Sequence, residues 1–137
     1  MTAALSPYAQ TMGFVATRDD EDRIILLMDF DDDKSGRPGF IHGGALAGLL
    51  ETTAYMTVIE VVGEGPRLKP INCTMTYMRA GVEKRTYARA TIERLGKRIA
   101  NVEVIAWQED PNKPIAMAQI NVLIDRAVQP ASENLRP

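Results

Sequence analysis

Two residues of this 137-residue chain could move a proton at neutral pH: His42, its only histidine, and Glu51. His42 is followed by two glycines in Gly39-Phe40-Ile41-His42-Gly43-Gly44, and Glu51 sits inside the most apolar stretch, Ala45 to Val62. Carboxylates are seldom taken out of water unless paired. The helical neighbours of Glu51 at three and four residues are Ala47, Gly48, Ala54 and Tyr55. None carries charge and three are small, so the pattern predicts a buried, unpaired carboxylate facing a pocket. Such a group suits a general base or a nucleophile. Gly43 and Gly44 would open the helix with free N–H groups and no side chains above them, an anion or oxyanion site backed by the helix dipole. For His42 two readings stand side by side, a loop or helix-terminus partner and a member of the site.

Spacing adds a constraint. Nine helical residues advance about 13 Å and turn about half a revolution. His42 and Glu51 of one chain therefore do not easily address the same atom. If both serve one site, one of them comes from a second subunit.

The elements that would hold these residues follow from hydrophobic patterning. Ala45 to Val62 is long enough to cross a bilayer, but a carboxylate at its centre costs about 2.5–3.5 kcal/mol even on the mildest scale. The stretch reads as a helix enclosed by protein, with no membrane partner. Arg23 to Phe30 has the length of a strand. From Ile71 the period is two: Ile71, Cys73, Met75 and Tyr77 alternate with Asn72, Thr74 and Thr76, as in a half-buried strand. In that row Cys73 reads as core packing rather than as a thiol nucleophile. Thr86 to Leu95, Ala100 to Ala106 and Ile115 to Ile124 follow, separated by Gly96-Lys97-Arg98 and Asp110-Pro111-Asn112. Strands joined by short turns predict an antiparallel meander. The expected fold is α+β, a single domain over 1–137 in which an antiparallel sheet wraps a central helix, with a core at about 12–125 and a frayed tail at 126–137. Open sheet edges, and the apolar surface that a single sheet over one helix leaves over, predict a homodimer or a dimer of dimers.

The run His42-Gly43-Gly44-Ala45-Leu46-Ala47-Gly48-Leu49-Leu50-Glu51-Thr52 resembles the signature of hotdog-fold acyl-CoA thioesterases, His-Gly-Gly, six residues, then Asp or Glu. The branch is the one named for phenylacetic acid degradation. Thr74-Met75-Thr76-Tyr77-Met78-Arg79-Ala80 and Leu95-Gly96-Lys97-Arg98-Ile99-Ala100 resemble that family's strand end and hairpin. The resemblance implies that Glu51 is the general base or nucleophile and that the Gly43 N–H, given by the other subunit, polarises the thioester carbonyl. His42 would support that loop or contact the thioester. Gly44, Tyr55 and Met75 would line the substrate, and Arg79, Lys97 and Arg98 would meet the coenzyme A phosphates. Arg85 is a further candidate of the same kind, and for all four cations the other reading is a solvated charge at a strand end. Coenzyme A is then part of the substrate, and no other cofactor is expected. Two departures stand out. Many members carry Asn or Gln six residues before the His, where this chain has Gly36, and Arg79-Ala80-Gly81 lacks the proline of the strand end. A non-catalytic acyl-CoA binder or sensor is therefore the alternative, and a dehydratase of the same fold ranks third because its loop signature is missing.

Composition excludes other classes. With 16 Lys and Arg against 18 Asp and Glu, the net charge of −2 gives no electrostatic footprint for duplex nucleic acid. One cysteine forms neither an internal disulfide nor a Cys-rich zinc site. Asp31-Asp32-Asp33-Lys34-Ser35-Gly36 begins like a calcium loop, but His42 stands where the bidentate Glu is needed, so it reads as an acidic surface turn and no metal is expected. The first residues lack a basic segment followed by an apolar run, which makes the cytoplasm the expected location.

Overall fold

The computed structural model describes residues 4–127; most of the expected frayed tail, from 128 onward, lies outside the described residues. In chain order the elements are α1 (Pro7–Thr11), β1 (Val15–Arg18), β2 (Ile24–Met28), a 3-10 turn (Asp32–Lys34), α2 (Gly43–Val62), β3 (Arg67–Tyr77), β4 (Thr86–Leu95), β5 (Ile99–Trp107) and β6 (Ala116–Asp125). The six strands form one antiparallel sheet in the order β1-β2-β4-β5-β6-β3. Helix α2 lies against it, touching β2, β3, β4, β5 and β6. This is the hotdog fold.

Helix α2 buries Leu46, Leu49, Leu50, Thr53, Ala54, Met56, Val58 and Ile59 against the sheet. Two of its three threonines fit an apolar setting because their hydroxyls donate back along the helix, Thr53 to the Leu49 carbonyl at 2.7 Å and Thr57 to the Thr53 carbonyl at 2.8 Å. The facing strands present Ala88, Ala106, Ala116 and Ala118, all fully buried. Such small residues let helix and sheet approach closely without voids. The helix stops at Gly63, whose φ of 84° is open chiefly to glycine. Among the described residues α2 is the one helix long and apolar enough to cross a membrane, and its apolar bulk is the core of this domain.

Three expectations need correction. The meander holds for β4-β5-β6 and for β1-β2, but β3 pairs with β6 at the far edge of the sheet. The chain then crosses back through 78–85 to reach β4 beside β2. Long-range pairing of this kind follows from which faces are left to cover, not from turn length. Gln108 pins the crossing: its carboxamide accepts from the Val82 N–H at 3.1 Å and donates to the Val82 carbonyl at 2.9 Å and the Thr86 hydroxyl at 3.1 Å.

Second, β3 is an edge, and its alternating row is not buried by its own chain. Cys73 is exposed, Ile71 and Tyr77 are 49% and 52% exposed, and of the four only Met75 is partly buried against the core. Cys73 is therefore not a core residue of the single chain. Third, α2 is enclosed on one side only. Gly44 and Glu51 are exposed on its open face, with Ala47, Gly48, Thr52 and Tyr55 half-buried between and beyond them.

Helix α1 was not expected, although its signals are in the sequence. Ser6 caps it, its hydroxyl accepting the Ala9 N–H at 3.2 Å, and Pro7 takes the first turn. Ala9 is fully buried, and Tyr8 meets Phe14 edge-on with ring centres 5.9 Å apart.

Candidate active site

The start of α2 is built by His42. With φ −62° and ψ 133° it stands just outside the helix, and its Nδ1 accepts the Gly44 N–H at 2.8 Å. That bond requires an unprotonated Nδ1 and places the neutral ring's proton on Nε2. His42 is thus the helix N-cap, and the expectation that both glycine N–H groups are free is corrected: Gly44 is occupied. The Gly43 N–H has no acceptor among the described residues. The Tyr77 hydroxyl donates to the Gly43 carbonyl at 3.0 Å, and a Cβ on Gly43 would meet the Tyr77 ring at 3.3 Å. Glycine at 43 therefore keeps a bare N–H beside an aromatic wall. A groove of about 500 Å³ opens there, lined by His42, Gly43, Leu46, Tyr77, Arg79 and Arg37.

The loop carrying His42 is closed from behind. The His42 N–H donates to the Lys34 carbonyl at 2.7 Å and the Gly36 N–H to the Phe40 carbonyl at 2.9 Å. The acidic run forms a 3-10 turn in which Lys34 is buried, its ammonium on the Asp31 carboxylate at 2.6 Å. That hydrogen bond, with the charge of Lys34, holds the Asp31 carboxyl below the usual carboxylate range. A Cβ at Gly36 would lie 3.1 Å from the His42 Cα. Gly36 lines the groove and offers it no side chain.

Asp31→Asn leaves the Lys34 ammonium buried and unpaired. The expected result is a loss of stability, smaller than that of breaking a fully buried pair because Asp31 is half exposed. Lys34→Met should be close to neutral. A carboxyl with a depressed folded pKa stabilises above its unfolded value and loses that contribution as pH falls through the folded value. Chemical denaturation of wild type and Asp31→Asn should therefore show a gap at pH 7 that closes in acid below the ordinary carboxylate range. A gap unchanged down to pH 2 would rule out the pair as its source.

Glu51 differs from expectation. It is exposed on the open face of α2 rather than buried, and forms no ion pair among the described residues. The reason is the one-sided covering of α2. It does face a pocket, a cavity of about 460 Å³ lined with Tyr8, Thr52, Tyr55, Met56 and Pro70. Since Gly43 touches Tyr77 at one end of β3 and Glu51 shares a pocket with Pro70 near the other, α2 runs antiparallel to β3.

The site residues expected from sequence thus fall into separate places. His42, Gly43 and Arg79 share one groove; Glu51 and Tyr55 share another; no residue lines both. Gly44 lies between, its N–H on His42, and Met75 is half-buried on β3. Lys97 and Arg98 are exposed in the β4–β5 turn, next to the β6 end where Leu123 pairs with Ile99. Arg79 follows Tyr77, which pairs with Ala116 at the other end of β6. Seven strand residues, about 23 Å, separate those ends, so these cations do not form one phosphate site in one chain. Arg85 is held by Asp29 at 2.6 Å. Sequence reasoning missed Tyr8 and the ring of Tyr77 on Gly43, since neither contact is local.

A sheet wrapped on a single long helix, with a capped glycine pair at the helix start and a carboxylate on its open face, defines a hotdog domain. The model of the thioesterase superfamily matches residues 38–115, more than half of the chain, and the chain belongs to that superfamily. No curated protein matches it. Among solved structures it is similar to a phenylacetic acid degradation-related protein from Ralstonia eutropha, 24% identical with a TM-score of 0.76, covering 88% of this chain and 92% of that one. It is similar to a thioesterase from Haemophilus influenzae, 21% identical with a TM-score of 0.79, covering 88% and 85%. A protein from Bacillus halodurans solved with CoA is 18% identical with a TM-score of 0.80, covering 88% and 79%. At these identities the likeness is one of fold.

Proposed function

We propose that this protein hydrolyses the thioester of a small aryl- or acyl-CoA, acting as a homodimer or a dimer of dimers. The observation that carries the reading is the free Gly43 N–H at the start of α2, on a helix whose open face also presents an unpaired carboxylate at a pocket, in a chain of the thioesterase superfamily. The Gly43 N–H donates to the thioester oxygen and gains strength as that oxygen becomes an oxyanion. Glu51 takes the proton of a water that attacks the acyl carbon, or attacks it directly. With water as the nucleophile, collapse of the tetrahedral adduct breaks the C–S bond and releases the acid and the coenzyme A thiolate; with Glu51 as the nucleophile, collapse releases the thiolate and leaves a mixed anhydride, which a water then hydrolyses to the acid and free Glu51. In both cases the thiolate takes up a proton.

Within one chain Gly43 and Glu51 are eight residues apart, about 12 Å along the helix. Antiparallel pairing of two β3 edges would lay the two α2 helices side by side in opposite directions. The Gly43 end of the partner subunit then comes toward Glu51. The half-exposed row on β3 favours this assembly, because it gives Ile71 and Tyr77 a partner. In such a dimer Arg79 accompanies Gly43 to the site, whereas Lys97 and Arg98 reach the phosphates only from another subunit. The alternative of a non-catalytic acyl-CoA binder draws on Gly36, which offers the groove no side chain to hold a water. Free-thiol release from a panel of aryl, short and long acyl-CoAs decides between them. Turnover of a compact member is the expected result, and binding of all without release of thiol would establish the binder.

A further inference from the structure

Tyr8 stands against α2 at Gly48: a Cβ at that position would overlap its hydroxyl. Gly48 lies one turn before Glu51 and Thr52 on the open face of α2, and Tyr8 lines the Glu51 pocket together with Thr52, Tyr55, Met56 and Pro70. The ring is held in place from behind, by the edge-on contact with Phe14 and by the fully buried Ala9 next to it in the chain. Its hydroxyl has no hydrogen-bond partner among the described residues, so what fixes it is shape. The side of the pocket toward the start of α2 is therefore an aromatic wall brought in from another element, seated on a helix position where a side chain would displace it.

We infer that Tyr8 sets the acyl specificity of this site: seated on Gly48, it walls one side of the Glu51 pocket and favours compact acyl groups. The inference rests on the thioesterase reading above, because it takes the pocket beside Glu51 as the place of the acyl group. The cavity of about 460 Å³ is in the size range of small-ligand sites, roughly 300–1,000 Å³. A single methylene accepted or refused by an apolar pocket is worth roughly 10- to 200-fold in discrimination. Moving one wall should therefore be visible in the substrate profile and not only in the rate.

The test compares kcat/KM for butyryl-, phenylacetyl-, octanoyl- and decanoyl-CoA in wild type, Tyr8→Ala, Tyr8→Phe, Gly48→Ala and the Tyr8→Ala/Gly48→Ala double variant. Tyr8→Ala should raise the ratio of decanoyl- to butyryl-CoA by about tenfold or more, largely through a lower KM for the long chain. Tyr8→Phe keeps the ring and should keep the wild-type profile. Gly48→Ala should alter the profile when Tyr8 is present and change little when Tyr8 is already Ala, since the two act through one contact. Thermal melts confirm that each variant is folded; should Tyr8→Ala fail to fold, Gly48→Ala against wild type carries the comparison. A profile unchanged in Tyr8→Ala and in Gly48→Ala overturns the inference while leaving the thioesterase reading intact, and so does a profile that Tyr8→Phe shifts as far as Tyr8→Ala. A wild type that releases thiol from no member of the panel overturns both.

Discussion

Glu51→Gln is expected to lower thioester hydrolysis by roughly 10²- to 10⁴-fold, the usual contribution of a positioned acid or base. The amide keeps the size of the side chain and its hydrogen-bonding capacity but holds no proton-accepting charge and is no nucleophile. Because Glu51 is exposed on the open face of α2 and forms no ion pair among the described residues, the change should leave the stability of the chain within about 0.5 kcal/mol. Acyl-CoA affinity, measured by calorimetry, should persist, since the carboxylate is not among the groups that hold the coenzyme. The three measurements together separate the roles. Loss of turnover with binding and melting temperature intact marks a residue of the chemistry. Full turnover in Glu51→Gln would remove Glu51 from the mechanism, and a collapse of stability would make it structural.

Gly43→Pro should cost about 10²- to 10³-fold in kcat, the magnitude that follows loss of one oxyanion donor. Proline is tolerated at the first position of a helix, where its missing N–H breaks no helical bond. His42 already has the extended backbone, φ −62° and ψ 133°, that a residue before proline adopts. The variant therefore removes the N–H while the helix remains. Gly43→Ala crowds the Tyr77 ring equally, at 3.3 Å, but keeps the N–H, so it serves as the control and should retain most activity. The two dead variants also test sharing between subunits. In a dimer with composite sites, refolding Glu51→Gln with Gly43→Pro at equal ratio makes half of the dimers mixed, each with one intact site of two, and restores about a quarter of wild-type activity. Light scattering should show no folded monomer at micromolar concentration. Exchange without rescue, or an active monomer, would place both residues in one chain's own site.

The elements were legible where burial is local and periodic. The apolar run Ala45 to Val62 is α2 short of its two glycines, and the alternating alanines and valines of β4 and β5 point inward as their period requires. Legibility failed where the burying surface is remote. The row Ile71, Cys73, Met75, Tyr77 has the pattern of a covered strand yet lies on an edge, and Glu51 has the surroundings of a buried carboxylate yet faces outward. Both errors share one cause. Apolar patterning reports that a face is to be covered and does not say by which chain. The partnering of β3 with β6 and the seating of Tyr8 on Gly48 are contacts between residues far apart in sequence, which no window of neighbours encodes. At His42 the structure shows a cap, and among the described residues the free N–H it leaves is that of Gly43.

The two borders of the sheet are unequal, and that inequality bears on solubility. Strand β3 offers eleven residues to an incoming strand, whereas β1 offers four. Addition at β3 can be self-complementary and two-fold, so that each copy uses up its long border in meeting one other copy. What remains outward is the short border on either side, too brief to template a third chain. In the proposed dimer, polymerisation by strand addition would therefore terminate at two. Extending β1 by a few β-prone residues should turn a closed pair into a propagating filament.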